Sequence, residues 1–391
     1  MNADRGATTD ISRSSTANTA AAWLWVDHLR GGGTTPWAAW LAAARDADDP
    51  RRGDRLLPGA QQLELVRRLN EAGRPAAALV ERVLVASAPG RGRQDLELLG
   101  AVEPLAFGPP PIDPATLSAD DLVRVAVGLI AEDVVGAGDP PREPVKARRW
   151  RTRYRIAGDR WLADAMRTEL VAQGRPPGGR GAVAAVVGTD LATMVAHDWL
   201  ASCFSDGGAD WTDYCAGMRR RDRLPRRVDL AATAGRWAPE LGGPDQVRVV
   251  LDPARVAKVV GVRRLVVLPD VAADAAELAR RTAGALGILV TPPRRTELMR
   301  TVLRPRLAGV PGPRPVVPPE HREWLEEQAR LVQRGIRAGG YPVVGDLDAL
   351  RPRWPDLPAH GLAADDRQPD RVLSLALSLL LDPATGGGVD P

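Results

Sequence analysis

Apolar residues change their spacing once along this chain, near residues 139–153. From Ala20 to about residue 138 they recur every three or four positions, which predicts helices. "AAWLWVDHLR" is followed by a break at "GGGTTP" and then by "WAAWLAAARDA". In "PGAQQLELVRRLNEAG", Leu63, Leu65, Val66 and Leu69 lie on one side, and Gly73 suits a C-terminal stop. "PAAALVERVLVAS" reads as another helix, and "SADDLVRVAVGLIAEDVVGAG" starts with Ser118 as cap and acids in its first turn. Residues 1–19 are small and polar without apolar period, so a disordered tail is expected there.

After "DPPREPVKARRWRTR" (139–153), which reads as a linker, short β-branched runs alternate with helical stretches. The runs are "YRIAG", "AVAAVVG", "QVRVVLD" and "RRLVVLP". Strands alternating with helices of about 10–15 residues predict an α/β fold, a parallel sheet flanked by helices. A long helix closes it, with Leu325, Ala329, Val332 and Ile336 as one stripe. The expected organisation is a tail at 1–19, an all-α N-terminal domain at 20–138, a linker at 139–153 and an α/β domain at 154–354. A C-terminal helix, "DRVLSLALSLLL", and a flexible tail occupy 355–391.

Composition narrows the function classes. With 44% apolar and 26% charged residues the chain reads as globular. A net charge of +4 over 391 residues is mild. "RRWRTRYR" (148–155) is a dense basic cluster, but Asp and Glu are scattered along the rest of the chain, and no nucleic-acid partner is expected. Lys146 and Lys258 are the only lysines, so the abundance of arginine reflects a GC-rich coding sequence as much as ligand choice. Cys203 and Cys215 cannot make a zinc site alone and imply two ordinary thiols. No metal is expected. With no signal-peptide pattern and no window of about 20 apolar residues, a cytoplasmic protein without a membrane span is expected. Trp23, Trp25, Trp37 and Trp40 either fill the core of the helical domain or form an exposed aromatic face for a sugar or protein.

Candidate chemistry gathers at "GAVAAVVGTDLATMVAHDW" (181–199), where an apolar run stops at Gly188 and Thr189 and Asp190 open a helix. Strand, tight turn and helix is how an α/β protein builds an anion site, because free backbone N–H groups and the positive helix end face the ligand. His197 shares a helix face with Asp190 and Met194. It is either a general base for an acceptor hydroxyl or a solvent-facing histidine. His321 beside Glu320 fits an exposed helix start. His28 and Asp27 are sequence neighbours on a helix, which points them apart. "GGGTT" (31–35) follows a helix rather than a strand and reads as a helix–helix connection.

From about 154 to 353 the order of elements resembles the sulfotransferase-like proteins of actinobacteria, which have a P-loop-type α/β fold. "VVPPEHREWLEEQARLVQRGIRAGGYPVVGDLDALRP" is similar to their closing helix and the Gly-Tyr-x-Val-x-Gly-Asp-Leu turn after it. "VDLAATAGRWAPELGGPDQVRVVL" is similar to their helix ending in Trp-Ala and the strand that follows. The resemblance implies 3′-phosphoadenosine 5′-phosphosulfate as sulfo donor, cradled by a Pro-Lys-Thr-Gly-Thr-Thr loop after the first strand. Here that position reads "RIAGDRWLADAMRTEL": Gly158 remains, Asp159 stands near the anion, and Arg160 is the only cation. Where the family carries Arg-Asp-Leu for the 3′-phosphate, this chain has Thr189-Asp190-Leu191. Exchanging a charge-assisted contact for a hydroxyl gives up ~1–2 kcal/mol.

The donor contacts left by the resemblance are Gly158, Arg160, Gly188, Thr189 and Asp190, with His197 as base. Two functions follow as expectations. One is sulfo transfer to a hydroxyl of a carbohydrate or small molecule. The other is a non-catalytic scaffold or partner-binding protein with a degraded donor site.

Overall fold

A computed structural model describes residues 5–43, 57–86, 96–101, 109–138, 154–178, 182–265, 271–354 and 368–382, with side chains from residue 18 onward. The expected linker at 139–153 lies outside the described residues, as does most of "RRLVVLP".

The chain forms two compact units. The first is helical and opens with α1 (Arg5–Arg30), α2 (Trp37–Ala43), α3 (Ala60–Ala72), α4 (Ala77–Val85) and α5 (Ala119–Gly136). Helix α1 starts well before Ala20, so the tail expected at 1–19 is helical from Arg5. That stretch lacks an apolar stripe, and periodicity therefore did not reveal it. Ser118 caps α5 through a reciprocal capping box with Asp121. Leu63, Leu65, Val66 and Leu69 of α3 are all buried. Trp25 and Trp37 are buried with ring centroids 5.2 Å apart, so they fill the helical core; Trp23 and Trp40 are half-buried.

The second unit begins with β1 (Tyr154–Gly158), α6 (Arg160–Ala172), β2 (Val183–Val187), α7 (Leu191–Cys203), α8 (Trp211–Arg220), α9 (Leu230–Leu241), β3 (Val247–Val250) and α10 (Val256–Val259). The chain continues through α11 (Ala273–Leu289), α12 (Pro292–Leu298), α13 (Arg304–Leu307), α14 (Arg322–Ala338), β4 (Val343–Val344) and α15 (Gln368–Leu381). Residues 281–298 and 366–391, which include α12 and α15, belong to the helical unit, where α15 packs along α5 and α3.

The sheet is parallel throughout, in the order β1-β2-β3-β4. Alternation along the strands sends side chains to two faces. Ile156, Ala185, Val187 and Val250 meet Leu162, Met166 and Leu170 of α6 on one face. Ala184, Val186, Val247 and Val249 meet α7, α9 and α14 on the other, where the stripe of Leu325, Ala329, Val332 and Ile336 is buried. The architecture is therefore α/β, with helices on both faces of a parallel sheet. β4 lies inside the segment expected to be a turn after the closing helix; two residues are too short to show alternation.

Candidate functional site

The chain leaves β1 toward the α6 face and β2 toward the α7 face. Both turns lie at the carboxyl ends of adjacent parallel strands, the end at which open α/β sheets bind ligands. Gly158 makes the first turn possible. Its φ is +94°, and an added Cβ would stand 2.1 Å from the carbonyl oxygen of Val187. Gly188 makes the second turn possible, because a Cβ there would meet Leu230 Cδ1 at 2.4 Å.

Asp159 follows Gly158, and its N–H donates to the Val187 carbonyl at 2.8 Å. The side chain is wholly buried. One carboxylate oxygen accepts from the Leu162 N–H at 3.0 Å and so caps α6. The other lies 2.7 Å from Nδ1 of His197. Asp210 and Asp229 cap α8 and α9 in the same way, so an aspartate at a helix start is ordinary in this unit. Asp159 differs in its complete burial and its second partner.

His197 is 9% exposed, which excludes the solvent-facing alternative. A helical-wheel argument places it opposite the apolar stripe, but that side of α7 faces the N-terminal turn of α6 rather than water. Arg160 is half-buried, and its Nη2 donates to Ser205 Oγ at 3.2 Å. Next to this group, Asp198 accepts a hydrogen bond from the Tyr214 hydroxyl at 2.8 Å. Burial pushes the Asp198 carboxyl above its usual value, and the Tyr214 bond and the Arg160 charge oppose that rise. Burial and the neighbouring Asp198 also push the Tyr214 hydroxyl up.

At the second turn, Asp190 caps α7 by accepting from the Thr193 N–H at 3.1 Å, and the same oxygen accepts from the Arg353 N–H at 3.2 Å. Thr189 is half-buried, and its hydroxyl lies 3.5 Å from the Asp190 carbonyl, at the limit of a hydrogen bond.

Gly158, Arg160, Gly188, Thr189, Asp190 and His197 thus all stand on the two turns or the two helices they open. Sequence reasoning noticed Asp159 only as an opposing charge and missed Asp198, Ser205 and Tyr214. Asp159 and His197 are 38 positions apart, and no local spacing links them. The remaining candidates go elsewhere. His28 bonds Thr35 at 3.1 Å and stacks on Trp40, while Asp27 pairs with Arg30. "GGGTT" connects α1 to α2, and His321 is half-buried just before α14. Cys203 and Cys215 are buried and unbridged. Burial raises both thiols, Cys215 to about 12. Among the described residues no group of His, Cys, Asp and Glu could hold a metal ion, and no helix is long and apolar enough to cross a membrane. Comparison with protein-family models, curated proteins and solved structures finds no match to this chain.

Proposed function

We propose that the α/β unit is a sulfotransferase-like module of P-loop type that no longer transfers a sulfo group and serves as a cytoplasmic binding or scaffold protein. The element order and closing motif support the relationship, and the Asp159 carboxylate carries the loss of donor chemistry. It sits at the N-terminus of α6, accepts the Leu162 N–H and holds His197. The place where a phosphosulfate would accept helix N–H groups is filled by the chain's own anion. Two like charges ~4 Å apart repel by roughly 4 kcal/mol at an effective dielectric of about 20. At the second turn the neutral Thr189 stands where the resembling family carries its phosphate-binding arginine. Titration calorimetry with 3′-phosphoadenosine 5′-phosphate is expected to show no heat at millimolar nucleotide. Saturable binding that disappears in Arg160→Gln would overturn the reading.

One observation favours a second reading, sulfo transfer from 3′-phosphoadenosine 5′-phosphosulfate to a hydroxyl of a carbohydrate or small molecule. Asp159 fixes the imidazole through Nδ1, as an orienting carboxylate does in acid–base pairs, so Nε2 is the nitrogen left to take a hydroxyl proton. Arg160 and Thr189 would hold the donor; Arg160 bonds Ser205 and makes no ion pair among the described residues. Labelled sulfo transfer by the native chain, abolished in His197→Gln, would select this reading over the first.

A further inference from the structure

A cavity of about 300 Å³ lies against the face of α6 that carries Trp161, Ala165 and Glu169, not the face packed on the sheet. Trp161 and Glu169 of α6 form one wall, with Val271 beside them; Arg300, Arg304 and Ala308 form another. Every lining residue belongs to the α/β unit. The volume is at the small end of ligand sites, enough for a single ring with a charged substituent. Arg300 lies in a π-helical turn, Met299–Leu303, that runs directly into α13. Such turns are uncommon and concentrate at functional sites.

The charges in this cavity are incomplete. The Arg304 guanidinium stacks on the indole of Trp161, 3.8 Å from the ring centroid. Its Nη2 is buried without a hydrogen-bond partner. Burial and the positive charge of Arg300 pull Arg304 down to about 10, against a smaller opposing pull from Asp164. Arg300 is exposed and forms no ion pair among the described residues. Glu169 accepts from Gln173 at 2.7 Å and pairs with neither arginine. Arg304 as a whole is half-buried and Arg300 exposed, so part of each guanidinium stays accessible to an acceptor. Beside the two cations part of the lining is apolar: Val271 is buried, and Pro305 and Ala308 add aliphatic surface, while Thr168, Glu169 and Thr301 make the rest polar.

We infer that this cavity binds a small organic anion, with the oxyanion head on Arg300 and Arg304 and an apolar body against Val271, Pro305 and Ala308. This gives the binding-protein reading a ligand class, but it rests on the cavity and not on the state of the donor turns. Phenyl phosphate that fails to bind leaves the nucleotide titration standing, and the converse holds too.

Titration calorimetry of the intact chain with phenyl phosphate, benzoate and inorganic phosphate tests the inference. At least one aryl anion is expected to bind, and to bind tighter than inorganic phosphate. A preference for phenyl phosphate over benzoate marks a phosphate head, and the reverse marks a carboxylate; either supports the site. Loss of one charge-assisted contact in Arg304→Gln or Arg300→Gln is expected to weaken binding about tenfold. Should Arg304→Gln fail to fold, the exposed Arg300 supplies the test. No heat from either aryl anion, equal binding of inorganic phosphate, or full affinity in the folded variants overturns it.

Discussion

Asp198 shows how burial on this scaffold becomes a measurable pH dependence. Its carboxyl titrates above the ordinary value of 3.8 in the folded chain, chiefly through desolvation. The folded state then holds a proton that the unfolded state releases, so the contribution is full below the unfolded value and is lost as pH rises through the raised one. Urea titrations across pH should show a smaller loss of stability with rising pH in Asp198→Asn than in the native chain. Gly158→Ala sets a left-handed residue against the Val187 carbonyl and is expected to cost about 2–4 kcal/mol by chemical denaturation. His197→Ala leaves the buried Asp159 with only its cap bond, an expected loss of about 2–3 kcal/mol in the same assay. These residues were unequally legible in the sequence. Gly188 announced itself by standing where an apolar run stops, and Gly158 through the family resemblance at the first turn. The Asp159–His197 and Asp198–Tyr214 pairs exist only after α6, α7 and α8 come together.

At the scale of elements, most of the fold was readable because each segment shows its own period. β1 begins and ends where "YRIAG" does, and the stripe of α14 is buried at each of its four positions. Ile336→Ala, which empties a site with no exposure, is expected to cost about 2–4 kcal/mol, measured as a shift in denaturation midpoint. Two elements escaped for physical reasons. The first part of α1 has small polar residues with no apolar period to detect, and β4 has two residues where alternation needs four or more.

In the whole molecule, the helical unit is assembled from three stretches of chain, 1–138, 281–298 and 366–391. Sequence reading follows the chain and so set the last helix apart from the first five. Yet Val372, Leu373, Ala376, Leu377, Leu379 and Leu380 of α15 are buried, and α15 packs along α5. Removing residues 368–391 should strip cover from α5 and speed its amide hydrogen exchange, with less effect on β1–β3. The Asp159 carboxylate has a different kind of consequence, one for which residues the position accepts. Because one oxygen completes a helix and the other meets an imidazole, an apolar residue at 159 would orphan a buried N–H of α6 and a buried ring nitrogen of α7 in one step, whereas asparagine keeps an acceptor and a donor for both.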